Sequence, residues 1–175
     1  LIDIMELKNV LSPEEIRSAE IDSPYRVDYE KVRENKTRLL NLAYTRIDEE
    51  YKKAVFNFVE INKMWLIDYA TFMVIRKLTG KSWYDWDDEL KFKKPQTIRE
   101  IQKKYANELG YYYFEQYLFY RQWFSLKTYA NSIGVEIMGD IPIYVSYDSV
   151  DVWANPKEFQ LDSDLKPTAL AGVPP

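Results

Sequence analysis

The sequence contains no cysteine and no histidine. Without cysteine there is no disulfide, no thiol nucleophile and no cysteine-ligated metal site. Without histidine there is no Ser-His-Asp triad, no zinc-protease helix and no histidine general base. Chemistry in these 175 residues therefore depends on carboxylates, hydroxyls, lysine, arginine and aromatic rings, and aromatic residues make up 16% of the chain.

Glycine is scarce as well, with five residues in the chain. Neither the phosphate loop G-x-x-x-x-G-K-S/T nor the dinucleotide fingerprint G-x-G-x-x-G is present, which excludes the two common phosphate-binding motifs. No run of 18 apolar residues occurs, so we expect no membrane span. The formal net charge of −4 disfavours nucleic acid as a partner.

The distribution of charge and the two ends of the chain are unusual. Residues 140–175 hold six acids and two bases, so the whole net charge lies there. The chain begins at Leu1, and residues 169–175 form an apolar stretch that ends in two prolines. A natural C-terminus is more often polar and frayed. We therefore expect an excised segment of a longer protein; a trimmed but complete small protein is the alternative.

Helix signals dominate the first 130 residues. The sequence Ser-Pro-Glu-Glu at residues 12–15 is typical of a helix start, and Asp48 can cap a further helix. An apolar stretch over residues 65–78 predicts a buried helix that ends at Gly80. Two more helices are predicted on either side of Gly110.

The hydrophobic period changes after Gly134, where the last of these helices is expected to end. Apolar residues alternate over residues 135–145, which predicts a β-strand directly after a helix. Residues 1–5 are the other plausible strand. Because one or two strands do not make a stable parallel sheet, this pattern also favours a segment of a larger α/β fold.

Two residues near this strand are candidates for a binding site. Asp140 occupies a strand position where an apolar residue is expected. Such a carboxylate either accepts hydrogen bonds from the backbone and a basic side chain, or shapes the floor of a binding cleft. Trp153 follows in an acidic loop, and aromatic faces beside carboxylates and amides suit a sugar. A place in the core is the alternative for Trp153.

Residues 139–156 form a long and specific motif, GDIPIYVSYDSVDVWANP. It is followed by EFQLD at residues 158–162 and by PTALAGVPP at residues 167–175. Together these runs resemble the 4-alpha-glucanotransferases, also called amylomaltases or disproportionating enzymes, of the alpha-amylase clan. The helix around FEQY at residues 114–117 resembles the helix that precedes this motif in the family. The strong resemblance covers residues 112–175.

The resemblance implies the α/β fold class. The chain would be a mostly helical fragment of a (β/α)8 TIM barrel. Residues 1–111 would form the family's mainly helical insertion. Residues 112–175 would carry a helix, the third barrel strand and the start of a loop that covers the substrate.

The resemblance also implies an activity. The family transfers alpha-1,4-glucan segments between maltooligosaccharides by a retaining double displacement, without a metal or an organic cofactor, in the cytoplasm. The expected partner is a glucan, with no nucleic acid and no membrane, and the isolated fragment is expected to self-associate. A non-catalytic glucan-binding or helical scaffolding module is the alternative.

The family's nucleophile and general acid/base lie downstream of the motif that this chain carries at residues 172–175. No catalytic residue is therefore assigned here, and the isolated chain is expected to be inactive. The resemblance implies substrate binding by Asp140, the residue nearest the scissile sugar, and by Asp148, Ser149 and Trp153 in the loop beyond it.

Overall fold

The computed structural model describes residues 2–21, 25–169 and 172. This part of the chain contains seven α-helices: α1 (Pro13–Arg17), α2 (Tyr29–Arg46), α3 (Glu49–Thr79), α4 (Asp88–Lys91), α5 (Pro95–Lys104), α6 (Ala106–Ser132) and α7 (Val150–Ala154). It also contains three short 3-10 helices at Ile4–Leu7, Trp83–Asp85 and Pro156–Glu158. The mostly helical character that the sequence predicts is confirmed for the described residues.

Local side chains set the first turns of the helices, as predicted. The Glu15 N–H donates to Ser12 Oγ at 3.2 Å, and the Ser12 N–H donates to Glu15 Oε2 at 2.8 Å. This reciprocal capping box satisfies two amides that the helix itself leaves unbonded. Before α3, Asp48 Oδ1 accepts a hydrogen bond of 2.7 Å from the Tyr51 N–H.

Two helices end at a glycine, as predicted. The break that was predicted at a third glycine, Gly110, does not occur there. Gly80 and Gly134 have φ of +63° and +78°, in the left-handed region that favours glycine at a helix end. The predicted break at Gly110 is wrong, because α6 runs through it and the break falls at Tyr105 instead. A glycine inside a helix lowers helix stability by about 1 kcal/mol relative to alanine. Burial of the neighbouring Leu109 offsets this loss.

The described residues divide into two compact units. Unit 1 comprises Leu1–Ile61 and Tyr111–Ile137, and unit 2 comprises Asn62–Gly110 and Met138–Pro175. The core of unit 1 contains aliphatic side chains from the first 55 residues, together with Phe114 and Leu118. The core of unit 2 is rich in aromatic rings. Its buried members are Phe72, Ile75, Trp83, Trp86, Ile98, Val152 and Trp153.

The strand predicted at residues 1–5 is not formed in the described part, and Leu1 lies outside it. Residues Ile4–Leu7 form a 3-10 helix in unit 1. The Asp3 N–H donates to Gln122 Oε1 at 2.7 Å, and the Asp3 carbonyl accepts from Gln122 Nε2 at 2.9 Å. One side chain therefore takes both backbone groups that a strand would offer to its neighbour.

The predicted strand at residues 135–145 is likewise irregular in the structure. Its apolar side chains are exposed rather than paired: Met138 is 94%, Ile141 is 84% and Ile143 is 87% exposed. A parallel strand needs hydrogen-bonded neighbours, and within the described ranges the β-pairing consists of one isolated antiparallel bridge, between Leu161 and Pro167. The third barrel strand is therefore not observed here.

Two further features of the described helices bear on function. None of them has a stretch that is both long enough and apolar enough to cross a membrane. The apolar stretch predicted at residues 65–78 forms the second half of α3, where Leu66, Ala70 and Ile75 are fully buried. The prediction of a buried helix there is confirmed.

Candidate functional site

The predicted loop beyond Asp140 contains the short helix α7. Ser149 is its N-cap, and Ser149 Oγ accepts a hydrogen bond of 3.4 Å from the Val152 N–H. Val152 and Trp153 are buried in the core of unit 2. The loop is therefore packed, and its position depends on its contacts with the core of unit 2.

Asp148 forms an ion pair. Its Oδ2 lies 2.9 Å from the Arg76 guanidinium and also accepts a hydrogen bond of 2.9 Å from Ser82 Oγ. Its Oδ1 is buried and has no hydrogen-bond partner among the described residues. Asp148 thus uses one carboxylate oxygen to bind two side chains that lie 72 and 66 residues away in the sequence, whereas the other oxygen is enclosed.

Trp153 occupies the core position that the sequence left open as its alternative. It is 1% exposed, and its ring packs against Phe72 and Trp86. The indole N–H donates to the Leu90 carbonyl at 2.9 Å, and Lys93 Nζ lies 5.0 Å from the ring centroid. In this arrangement neither face of the ring is open to a sugar.

Asp140 lies on the irregular stretch and is exposed. Neither of the two environments expected for it, a pairing with a basic side chain or the floor of a cleft, is found within the described residues. Asp140 is exposed because the strand predicted to carry it is not formed within the described residues. Its carboxylate is accessible to a ligand.

The four predicted site residues are therefore only partly brought together. Asp148, Ser149 and Trp153 share one loop and helix, whereas Asp140 precedes them on residues 138–146. Of the predicted covering loop, Gly172 is described and exposed. The rest of residues 170–175 lies outside the described part of the chain.

A stacked pair of tyrosines was not predicted as part of the site. The rings of Tyr84 and Tyr147 lie 4.9 Å apart, with 7° between their planes. The Tyr147 hydroxyl donates to the Leu165 carbonyl at 2.7 Å, and burial raises the pKa of Tyr147. The aromatic cluster at residues 83–86 was the signal in the sequence, although it did not indicate this partner.

A recess of about 590 Å³ lies beside the Tyr147 ring in unit 2. Its lining is mostly apolar and includes Tyr144, Phe159 and Leu161, with Gln160 among the polar members. Such a mixture of aromatic and amide groups is able to bind a carbohydrate. Within the described residues, no group of three acidic side chains has the arrangement of a metal site.

Comparisons with known proteins place this fold in a class. The 4-alpha-glucanotransferase of Aquifex aeolicus is 41% identical over 147 residues, which are 84% of this chain and 30% of that protein. The 4-alpha-glucanotransferase of Clostridium butyricum is 34% identical over 177 residues, covering 99% of this chain and 36% of that protein.

A solved structure gives the same result. The amylomaltase from Streptococcus agalactiae in complex with acarbose matches 99% of this chain, with a TM-score of 0.90 and 37% identity. The fold is therefore that of part of an amylomaltase. The 4-alpha-glucanotransferase family matches residues 1–175, and the chain belongs to that family. It spans about a third of the length of the relatives it matches, from 30% to 36%.

Proposed function

We propose that this chain binds alpha-1,4-glucan in a 4-alpha-glucanotransferase reaction, in which a glucan segment passes between maltooligosaccharides by retaining double displacement. The observation that carries the proposal is the family match over residues 1–175. The structural likeness to an amylomaltase in complex with acarbose supports it. The reaction is proposed for the protein as a whole, and this chain's share is the binding of glucan.

We propose Asp140 as the main glucan contact of this chain. Its exposed carboxylate accepts hydrogen bonds and so complements the hydroxyl donors of a sugar. Asp148, Ser149 and Trp153 belong to the same proposed site. Asp148 supports the site through its ion pair with Arg76 and the hydrogen bond that it accepts from Ser82. Because Trp153 is buried, we assign it a packing role that supports the loop and not a direct contact with glucan.

The rest of the proposed arrangement follows the family. Residues 1–111 serve as the helical insertion, and residues 112–175 carry the helix, the third-strand position and the covering loop. Residues 135–145 pair as a strand only where neighbouring strands of a (β/α)8 barrel are present. The exposed apolar side chains of residues 138–145 support this pairing, and also self-association of the isolated chain. The proposed location is the cytoplasm.

A titration with maltoheptaose tests glucan binding. We expect Asp140→Asn to weaken binding by the 175-residue chain, measured by isothermal titration calorimetry. Asp164→Asn is the matched control, because Asp164 is an exposed acid of the same unit and its loss changes the net charge equally. Equal affinities of the two variants would remove Asp140 from the site, and no binding by the unsubstituted chain would contradict the proposed function.

The isolated chain is predicted to be inactive. A retaining mechanism needs two carboxyl groups about 5–5.5 Å apart, one as nucleophile and one as acid/base, and no residue of this chain is assigned to either role. We expect no glucose release when the purified chain is incubated with maltotriose. Release that follows the chain through successive purification steps would show that it carries its own catalytic pair.

Non-catalytic glucan binding or helical scaffolding is the second candidate function. The packed, hydrogen-bonded loop at residues 147–154 favours it, because such a loop is ordered without further parts of a barrel. A monomeric chain that melts cooperatively and binds maltoheptaose would support this candidate. A chain that aggregates and does not bind would contradict it.

A further inference from the structure

Unit 2 contains a set of long-range contacts, the clamp, which links Arg76, Ser82 and Trp83 to Tyr147 and Asp148. We propose that Arg76, Ser82 and Trp83 are positioning residues for glucan binding. They hold residues 147–148 in place and thereby orient residues 138–146, which carry Asp140. The inference rests on the proposed function, because the segment that is oriented is the one proposed to contact glucan.

The first part of the clamp is electrostatic. Arg76 lies in the last turn of α3, and Ser82 directly precedes the 3-10 helix Trp83–Asp85. Both donate to Oδ2 of Asp148, each at 2.9 Å. Hydrogen bonds to a charged acceptor are about twice as strong as neutral ones. One carboxylate oxygen therefore ties the loop to two points that lie 72 and 66 residues away in the sequence.

The second part of the clamp is a buried hydrogen bond to the backbone. Trp83 is fully buried, and its indole N–H donates to the Tyr147 carbonyl at 2.7 Å. The Tyr84 ring stacks on the Tyr147 ring and limits its rotation. If residue 147 moved away, the buried Trp83 indole N–H would lose its acceptor. An unpaired donor in the core is unfavourable in free energy, so this movement is disfavoured.

At the far end of the loop the direction of the hydrogen bond is reversed, because the loop supplies the donor. The Trp153 indole N–H donates to the Leu90 carbonyl at 2.9 Å. One tryptophan of residues 81–94 thus bonds to the loop, and one tryptophan of the loop bonds back to residues 81–94. The loop is pinned at both ends by buried N–H groups, and Asp148 lies just inside the first of these pins.

The segment in front of the loop has no such support. Within the described residues, no hydrogen bond joins residues 138–146 to the rest of the chain, and all of these residues are exposed. Their direction therefore depends on the point at which they meet the clamp and on the recess that Tyr144 lines together with Phe159 and Leu161. Asp148 acts mainly as the anchor of this segment, since its Oδ2 is already occupied by Arg76 and Ser82.

If Arg76 served only the global stability of the chain, its removal would lower the unfolding midpoint. Its side chain is 44% exposed, and ion pairs at such exposure contribute little to global stability. Removal of the guanidinium should leave the unfolding midpoint of the chain nearly unchanged. A marked loss of order at residues 144–149 in a fully folded variant would therefore show that Arg76 positions these residues locally.

The test combines NMR relaxation, indole exchange and glucan titration on the 175-residue chain. Arg76→Met and Ser82→Ala remove the two donors, Arg76→Lys keeps a charge, and Arg99→Met is the control at an exposed arginine of the same unit. We expect Arg76→Met to speed exchange of the Trp83 indole N–H by about tenfold, as the loss of a charged hydrogen bond implies. The backbone order parameters of residues 144–149 should fall towards about 0.6.

The expected pattern also includes recovery and a binding effect. Arg76→Lys should restore most of the indole protection, and Arg99→Met should resemble the unsubstituted chain. Affinity for maltoheptaose should fall in Arg76→Met and Ser82→Ala, with both chains still folded. Unchanged indole exchange and order parameters in both donor variants would overturn the clamp. If Arg76→Met fails to fold, Ser82→Ala alone decides the result.

The two proposals fail in distinguishable ways. Absence of maltoheptaose binding by the unsubstituted chain contradicts the proposed function, whereas the exchange and relaxation data still decide whether the clamp holds residues 144–149. Loss of order in Arg76→Met without any loss of glucan affinity contradicts the positioning role, because the oriented segment would then not affect the ligand.

Discussion

Lys93 joins Asp68 to Trp153 in unit 2. Its ammonium group lies 2.8 Å from Asp68 Oδ2 and 5.0 Å from the centroid of the Trp153 ring. The backbone φ of Lys93 is +49°, a conformation that residues with a side chain rarely adopt. Because the side chain meets both a carboxylate and an aromatic face, its contacts offset this local strain.

Lys93→Met is expected to lower the free energy of unfolding by about 1 kcal/mol, because a half-buried Asp68 carboxylate loses its cation. The methionine keeps part of the contact with the Trp153 ring. Urea denaturation measures the change, and Lys157→Met is the control at an exposed lysine of the same unit. A midpoint no lower than that of the control would show that the ion pair contributes nothing.

Trp153→Phe is expected to destabilise the chain by roughly 2–3 kcal/mol. The substitution leaves a small cavity and removes the indole N–H that donates to the partly buried Leu90 carbonyl. Trp65→Phe, at a more exposed tryptophan of the same unit, should cost well under 1 kcal/mol. Chemical denaturation followed by tyrosine absorbance compares the two, and equal losses would contradict the core role of Trp153.

Glu115→Gln is expected to make stability less dependent on pH. Burial raises the pKa of Glu115, although the Tyr111 hydroxyl donates to its carboxylate at 3.4 Å and opposes the shift. The folded state therefore holds a proton that the unfolded state releases, so this contribution to stability is present at low pH. It is lost as pH rises from the unfolded pKa through the folded one.

At pH 7, Glu115→Gln should therefore melt roughly 1–3 °C above the unsubstituted chain. Near pH 3, where the carboxyl is protonated in both states, the difference should vanish. Glu136→Gln is the control at an exposed glutamate of the same unit. Melting curves from pH 3 to pH 8 test this, and a larger benefit at low pH than at pH 7 would refute the direction of the shift.

Gly134→Ala is expected to cost about 1 kcal/mol through backbone strain alone. The φ of Gly134 is +78°, and a Cβ built there meets no atom within 4 Å. Gly139→Ala is the matched control, because its added Cβ is equally unobstructed but its φ lies outside the left-handed region. We expect that change to be neutral or slightly stabilising. Thermal melts of the two variants give the comparison.

Helix ends were predictable because they depend on neighbours in the sequence. Ser12 and Glu15 bond to each other across three residues, and Asp48 reaches an amide three residues ahead. The left-handed turns at Gly80 and Gly134 also require only the residue itself. The error at Gly110 has the opposite origin, because the packing of distant side chains decides whether a helix continues through a glycine.

The strand at residues 135–145 and the candidate site were less predictable. An alternating pattern shows which face of a strand would be buried, but hydrogen bonds must come from strands that the pattern does not contain. Asp140, which the pattern places on this strand, is therefore exposed. The partners of Asp148, which are Arg76 and Ser82, lie too far along the chain for any local pattern to indicate them.

The sequence by itself determined the helical character, the capped ends of the helices and, through the motif at residues 139–156, the family. These properties depend on residues that are adjacent or only a few positions apart. Tertiary structure decided that Trp153 lies in the core, that Asp148 pairs with Arg76 and Ser82, and that residues 138–146 are exposed. The physical reason is that burial and long-range hydrogen bonds depend on which segments meet in space.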